Sequence, residues 1–97
     1  MRRAHVYILT NRRNGALYIG VTTNLAQRLI QHRACVDPAF TSRYNIVLCV
    51  LVEEFASIRD ARARERQLKH WRRSWKLALI QERNPYWHDL SFRIPLT

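Results

Sequence analysis

Two short apolar segments separated by a five-residue loop constrain the fold of this chain most strongly. Residues 4–10 (AHVYILT) and 16–21 (ALYIGV) are rich in β-branched and aromatic residues, which is typical of β-strands. The loop between them, NRRNG, ends in Asn14-Gly15, the dipeptide that most favours a tight hairpin turn. The sequence therefore predicts an antiparallel β-hairpin at this end of the chain.

A helix, a loop and a third strand are predicted after the hairpin. Asn24 and Gln27 have the spacing of a capping box, which indicates a helix over about residues 24–34. Residues 35–45 (CVDPAFTSRYN) contain turn-forming residues of mixed polarity and predict a loop. Residues 46–55 (IVLCVLVEEF) begin with a continuous apolar run, which predicts a central strand buried on both faces.

Two further helices are predicted beyond this strand. Ser57, with Asp60 three residues later, is expected to cap a helix over about 58–71. Ser74 is expected to cap the next helix, over about 75–83.

The last helix is expected to end near Asn84, because Pro85 disfavours helical backbone at the residue before it. The tail YWHDLSFRIPLT is expected to be irregular. The order ββαβαα predicts one α/β domain over 1–97, with its core at about 4–90. We expect an α+β sandwich in which helices flank a small, antiparallel three-stranded sheet.

The charge of the chain predicts a polyanionic partner. Seventeen Lys and Arg residues against seven Asp and Glu give a formal net charge of +10, which suits DNA, RNA or an anionic membrane surface. Fifteen of the seventeen cations are arginines, whose planar fork binds phosphate in a bidentate manner. Genomic bias accounts for the ratio of arginine to lysine equally well, but it does not account for the net charge.

The sequence also predicts where the protein resides. No apolar run reaches the ~18–20 residues of a membrane span, and the one near the N-terminus is too short for a signal peptide. Cys35 and Cys49 lack the spacing of a zinc site or a disulfide framework. We therefore expect a cytoplasmic protein with reduced thiols and no membrane partner.

One carboxylate lies among the apolar positions of the helix predicted at 58–71. At about 100° per residue, Glu65 shares a stripe with Ile58, Ala61 and Leu68. A carboxylate on a core-facing stripe is costly unless it is paired or binds a cation, so Glu65 is a candidate site residue. Alternatively, it lies at the edge of the stripe and pairs with an arginine. Three neighbours fall off the stripe and predict a solvated or DNA-facing surface: Arg62, Arg64 and Arg66.

The first predicted helix places two polar residues beside its apolar side. Leu25 and Leu29 define that side, and Arg28 and His32 lie next to it, one turn apart. Arginine neutralises the charge that develops on a reacting phosphate, and histidine relays a proton. The alternative is that both residues cover the core with their stems and reach water with their tips.

The hairpin contains two tyrosines that strand pairing is expected to bring together. Tyr7 and Tyr18 are separated by eleven positions across the short turn. They either pack as an aromatic cross-strand pair or direct their hydroxyls into a polar pocket, where they position or deprotonate a water. Gly20, near the end of the second strand, permits a bend or the close approach of another group.

These residues together resemble the GIY-YIG nuclease domain. The resemblance rests on HVY (5–7), YIG (18–20), Arg28 ten residues after Tyr18, and Glu65 in a following helix. It departs from the family name at the start, where histidine and valine stand in place of glycine and isoleucine.

Longer segments resemble the stand-alone bacterial members of this superfamily, over residues 4–90. These segments are VYILTN and NGALYIGVT in the hairpin, FTSRYN at 40–45, ARERQLKHWRR at 63–73 and NPYWHDL at 84–90. Ser42 stands where a lysine is common, which reduces the expected basic contacts around Arg43.

The resemblance implies a role for each matching residue. Glu65 matches the single ligand of a divalent metal, Mg²⁺ or Mn²⁺, and Arg28 matches the arginine that stabilises the pentacovalent phosphate. Tyr7 and Tyr18 match the motif tyrosines, one of which helps to activate water, and His32 matches a histidine of the site. The resemblance further implies supporting or substrate-binding roles for Gly20, Arg43, Lys69 and Asn84.

The function implied is metal-dependent hydrolysis of phosphodiester bonds in DNA, with RNA as the other candidate substrate. Structure-specific cleavage in DNA repair, recombination or processing is expected, because no appended DNA-binding domain is expected to target the chain. A protein partner is the other expected source of targeting. The alternative is a non-catalytic nucleic-acid-binding or partner-docking domain with a vestigial nuclease site.

Overall fold

The computed structural model of the protein describes residues 3–33 and 48–93. Within these ranges the chain forms strand β1 (Ala4–Thr10), strand β2 (Leu17–Thr22), helix α1 (Leu25–Arg33), strand β3 (Leu48–Phe55), helix α2 (Ile58–His70) and helix α3 (Arg73–Arg83). A short 3₁₀ helix, Leu90–Arg93, follows. The predicted order ββαβαα and the α+β class are confirmed. The predicted loop at 35–45 lies outside the described residues.

The predicted hairpin is present, although its turn differs from the usual Asn-Gly turn, because Asn14 is left-handed and Gly15 is not. Asn14 adopts a left-handed conformation with φ of 56°, which asparagine tolerates better than most residues. The Gly15 N–H donates to the carbonyl of Arg12 at 2.9 Å and closes the turn. β1 and β2 then pair in antiparallel register from His5 opposite Thr22 to Thr10 opposite Leu17.

The sheet order in the described part of the chain is β2-β1-β3, with both pairings antiparallel. The prediction that the third strand is central is therefore wrong, because β1 is central and β3 lies at an edge. The predicted burial of this strand on both faces is correct. Its residues are buried because helices cover the sheet above and below, and strand burial of this kind does not require a neighbour on each side.

Helices cover the two faces of the sheet separately. On one face Tyr7 and Leu9 pack with Leu25 and Leu29 of α1 and with Cys49. On the other face a larger core contains residues of β1 together with residues of α2, α3 and the following loop: Val6, Ile8, Ala61, Leu68, Ile80 and Trp87. The molecule is thus a sandwich, with α1 on one side and α2 and α3 on the other.

The two predicted side-chain caps that lie before α1 and α2 are present. Asn24 Oδ1 accepts from the Gln27 N–H at 3.3 Å, and its amide donates to Gln27 Oε1 at 3.1 Å. Ser57 Oγ accepts from the Asp60 N–H at 3.2 Å. These local contacts define both helix starts without any tertiary contact.

The prediction that Ser74 caps the last helix is wrong. α3 begins at Arg73, and its N-cap, Arg72, makes no side-chain capping bond. Trp71 and Arg72 are both extended, with ψ of 150° and 148°, so the chain turns from α2 into α3 before it reaches Ser74. The Arg73 guanidinium donates at 2.7 Å to the carbonyls of Asn14 and Gly15, which ties the start of α3 to the hairpin turn.

The segment after α3 is more ordered than the predicted irregular tail. The N–H and the hydroxyl of Ser91 donate to Asp89 Oδ1 at 3.1 and 2.7 Å, and the Cys49 N–H donates to the same oxygen at 3.1 Å. Asp89 therefore opens the 3₁₀ helix and holds it against β3.

Candidate active site

Tyr7 lies at the centre of the candidate site, on the central strand. Its side chain is only 1% exposed, and its cross-strand partner in β2 is Gly20. A Cβ atom at position 20 would overlap the Tyr7 ring, 2.9 Å from Cε2 and closer to Cζ and the hydroxyl. Gly20 therefore provides the space that the Tyr7 ring occupies, which is the close approach that the sequence suggested.

Substituting Gly20 by alanine is expected to destabilise the fold by about 1–3 kcal/mol, because the methyl group overpacks the Tyr7 ring. Urea unfolding measures the change. In a Tyr7→Leu background the cost of Gly20→Ala is expected to fall, because the ring that the methyl meets is gone. An unchanged cost in that background would mean that the ring is not the cause.

The two motif tyrosines lie close together, as predicted from strand pairing. Their ring centroids are 6.3 Å apart and the rings are inclined at 34°. Tyr18 pairs directly with Leu9, so it is the diagonal cross-strand neighbour of Tyr7, within the range at which aromatic side chains meet. Tyr18 is half-buried and lines a surface groove with Leu17, Ile19, Lys69 and Lys76.

Burial and nearby ionisable groups determine the electrostatic environment of Tyr7. Burial is the main cause that raises the pKa of Tyr7, and Tyr18 raises it further. Arg28 lowers the pKa, whereas Cys49 and Glu65 raise it. Tyr7, Tyr18, Arg28 and Glu65 therefore share one electrostatic neighbourhood. Since the net effect is upward, Tyr7 stays a neutral phenol at physiological pH and donates a hydrogen bond.

Glu65 enters this neighbourhood from α2. Ala61 and Leu68 of the same stripe are buried against the sheet, and the Glu65 side chain between them is 17% exposed. Its Oε2 lies 3.5 Å from Nζ of Lys69, one turn later. Among the described residues its partner is thus a lysine, where the alternative interpretation expected an arginine. Lys69 itself is 52% exposed, which leaves its ammonium free to move into water.

The prediction that Arg64 belongs to a solvated surface is wrong, although Arg62 and Arg66 are exposed. Arg64 donates to both carboxylate oxygens of Glu53, at 2.8 and 3.1 Å, and lies over the Trp71 ring at 5.1 Å. The partner, Glu53, is on β3 and only 8% exposed. Spacing along α2 gives no sign of this contact, because Glu53 comes from a different element.

Arg28 projects from α1 beside the buried Leu25 and Leu29. It is half-buried and lines a polar recess with Thr22, Thr23, Asn24, Gln27 and Gln31. Its influence on the Tyr7 hydroxyl indicates that its charge acts toward the sheet. His32 follows one turn later in α1, where the structure describes the backbone but not this side chain. Arg43 lies outside the described residues.

Asn84 organises the loop that follows α3. It is buried, and its side-chain amide donates to the carbonyls of Val50 and His88 at 3.1 and 2.9 Å. Its Oδ1 accepts from the His88 N–H at 3.1 Å. These bonds fasten the loop to β3, so Asn84 is a structural residue in this arrangement.

One groove residue was not predicted from the sequence. Lys76 of α3 lines the groove opposite Tyr18. The sequence feature that could have singled out Lys76 is that it and Lys69 are the two lysines among seventeen Lys and Arg residues. Their approach to β2 depends on the packing of α2 and α3, which local sequence does not specify.

The described residues contain no cluster of three or more His, Cys, Asp or Glu side chains placed to hold a metal ion. A divalent cation held through Glu65 would therefore have one carboxylate from this part of the protein. Mg²⁺ tolerates such a site because it keeps several waters and takes phosphate oxygens as ligands. The Glu65 carboxylate, 17% exposed and paired with Lys69, fits that chemistry. None of the helices in the described ranges has the length and apolarity to cross a membrane.

Comparison with known proteins gives the family. Residues 3–78 match the model of the GIY-YIG catalytic domain. The chain is also 36% identical over 83 residues to a UPF0213 protein of Staphylococcus haemolyticus, a match that covers 86% of this chain and 100% of that protein. No solved structure matches the chain. The chain therefore belongs to the GIY-YIG catalytic domain family, a family of nucleases.

Proposed function

We propose that this protein is an endonuclease that hydrolyses phosphodiester bonds in DNA and uses Mg²⁺ or Mn²⁺ bound through Glu65. The observation that best supports the proposal is the close pair of motif tyrosines, whose ring centroids are 6.3 Å apart, together with the charges of Arg28 and Glu65, which shift the pKa of Tyr7 in opposite directions. A cation, a carboxylate and two phenols supply groups that neutralise charge, hold a metal and direct hydrogen bonds.

Arg28 is proposed to bind the scissile phosphate. Its guanidinium donates to the non-bridging oxygens and neutralises the charge that they gain when water attacks. Exposed arginines in two turns add to the positive charge available to the substrate. These are Arg12 and Arg13 in the hairpin turn and Arg72 between α2 and α3. Such contacts give affinity for any nucleic-acid backbone, without sequence preference.

The two tyrosines are proposed to have different tasks. Because the pKa of Tyr7 is raised, mainly by burial, its phenol is a poor base near neutral pH and acts as a hydrogen-bond donor. Tyr18, which opens onto the groove, is better placed to orient the attacking water. Tyr18 and His32 are the candidates to accept the water proton.

The divalent ion, when bound, supplies a Lewis acid that stabilises charge on the phosphate and the leaving oxygen. The chain contributes the Glu65 carboxylate, the Lys69 ammonium that balances its charge, and the sheet that fixes both tyrosines. One observation favours the non-catalytic alternative: the Lys69 ammonium already neutralises Glu65. A protein in which that ion pair persists binds nucleic acid without cleaving it.

Removal of divalent metal distinguishes a metal-dependent nuclease from a protein that binds nucleic acid without cleaving it. Purified protein is incubated with nicked, branched and single-stranded DNA in Mg²⁺, in Mn²⁺ and in excess chelator, and the products are resolved on denaturing gels. Cleavage is expected in either metal and is expected to vanish in chelator. Retention of DNA binding without cleavage in either metal would support the non-catalytic alternative.

The substrate panel tests the finer expectations. Preference for branched or nicked DNA would support a role in repair or recombination, and comparison with RNA of the same sequence distinguishes the two nucleic acids. Equal cleavage of every DNA would contradict structure specificity.

A further inference from the structure

An exposed tryptophan lies in the first turn of α3. Trp75 is 53% exposed and directly precedes Lys76, which lines the groove. Isolated apolar residues on a protein surface are ordinary. This indole is less ordinary, because it belongs to an aromatic pair and has a guanidinium over its ring.

The Trp75 ring is held in place by its neighbours. Trp71 meets it edge to face, with centroids 6.1 Å apart and an interplanar angle of 84°. The Arg72 guanidinium lies 5.6 Å from its centroid. Both contacts restrict the indole before any ligand arrives, which lowers the entropic cost of binding.

Several cations lie near this aromatic pair along the chain. Arg72 lies over the indole, and Lys69 and Lys76, at neighbouring positions in the sequence, line the groove. The Arg73 guanidinium is engaged with the hairpin turn at Asn14 and Gly15. The turn between α2 and α3 therefore combines an aromatic pair with several cations.

The groove connects this surface to the candidate site. Lys69, on one wall, pairs with Glu65 at 3.5 Å, and Tyr18, on another, is the aromatic neighbour of Tyr7. Nucleic acid that contacts both Trp75 and this groove thus lies close to the residues to which we assign catalysis.

We propose that this surface, Trp75 with Lys69, Arg72 and Lys76, binds an unpaired stretch of nucleic acid beside the cleavage site. A base stacks on the indole, and the flanking phosphates contact the three cations. Paired bases in a duplex keep their faces stacked on one another, so only an unpaired base uses the indole. The proposal rests on the proposed function in one respect, the identity of the substrate, and it names that substrate as DNA or RNA with a single-stranded segment.

Binding without metal tests the proposal independently of cleavage. Fluorescence anisotropy of labelled oligo-dT, oligo-rU and a blunt DNA duplex is measured in chelator for the native protein and for Trp75→Ala. The substitution is expected to weaken oligo-dT binding by about 5- to 150-fold, the range for loss of one base stack. Duplex affinity is expected to change by less than about twofold. The oligo-rU arm shows whether RNA shares the surface.

Two further variants keep the result interpretable. Tyr86→Ala removes another exposed aromatic side chain, 76% exposed and outside the groove, and is expected to bind oligo-dT as the native protein does. Trp75→Phe keeps a ring and is expected to recover most of the affinity. Circular dichroism confirms that each variant is folded.

Several outcomes overturn the proposal. One is an equal loss of oligo-dT affinity in Trp75→Ala and Tyr86→Ala. Another is an equal loss of duplex and single-strand affinity in Trp75→Ala. A third is Trp75-dependent binding to anionic phosphatidylserine vesicles without oligonucleotide binding. Cleavage by the native protein that is unaffected by Trp75→Ala on every substrate overturns it too, while the nuclease function stands. Trp75-dependent binding of oligo-dT by a protein that cleaves nothing supports it, while the nuclease function fails.

Discussion

Replacing Glu65 by glutamine is expected to reduce DNA cleavage by about a thousandfold or more, because the proposed metal site loses its carboxylate and several kcal/mol of charge stabilisation. The amide keeps the size and position of the side chain. Binding of DNA is therefore expected to persist, and to strengthen slightly as a negative charge is removed. Single-turnover cleavage in Mg²⁺ and anisotropy in chelator measure the two effects separately.

Glu82→Gln is the matched control, since it makes the same substitution at an exposed carboxylate on α3. It is expected to cleave as the native protein does. Equal cleavage by Glu65→Gln and Glu82→Gln would show that Glu65 is not the metal ligand or that a contaminating nuclease is present. Loss of cleavage in both would point to a general dependence on acidic charge.

Replacing Arg28 by alanine is expected to lower the cleavage rate about 10²- to 10³-fold, the usual cost of removing one donor to the reacting oxygens. The loss is expected mainly in the rate constant of bound substrate, because the fork acts on charge that develops during the reaction. Arg28→Lys is expected to recover part of the activity, since it keeps the charge but not the planar fork.

Arg59→Ala is the control for this prediction, because Arg59 is an exposed arginine at the start of α2. It is expected to weaken DNA binding slightly and to leave the rate constant unchanged. If Arg28→Ala behaves in the same way, with a loss of affinity alone, then Arg28 belongs to the binding surface and not to the chemistry.

The parts of the fold that follow from short-range chemistry were predictable. Asn14-Gly15 indicated the hairpin turn, and Asn24 and Ser57 indicated two helix starts, because each of these signals acts on backbone within a few residues. The start of α3 was not predictable from Ser74, because the turn before it depends on extended backbone at Trp71 and Arg72.

The position of the third strand was wrong for a different reason. An apolar run reports that both faces of a strand are covered, and it says nothing of which strands lie beside it in the sheet. β3 is such a run at the edge of the described sheet.

The sequence indicated the individual residues of the candidate site but not their arrangement in space. Helical phase singled out Glu65 and Arg28, and strand pairing brought Tyr7 and Tyr18 together. That the charges of Glu65 and Arg28 both influence the pKa of Tyr7 depends on how α1 and α2 pack on the sheet. The same long-range packing determines that Arg64 pairs with Glu53 and that Lys76 and Tyr18 line one groove.

The sandwich has a consequence for synthesis of the protein in the cell. Arg28 comes from the layer on one side of the sheet, and Glu65 from the layer on the other. A growing chain on the ribosome that has released only the hairpin and α1 carries both tyrosines and the arginine but lacks the carboxylate. The proposed residue set is complete only after α2 has emerged and docked, so we expect chains that end before Glu65 to have no nuclease activity.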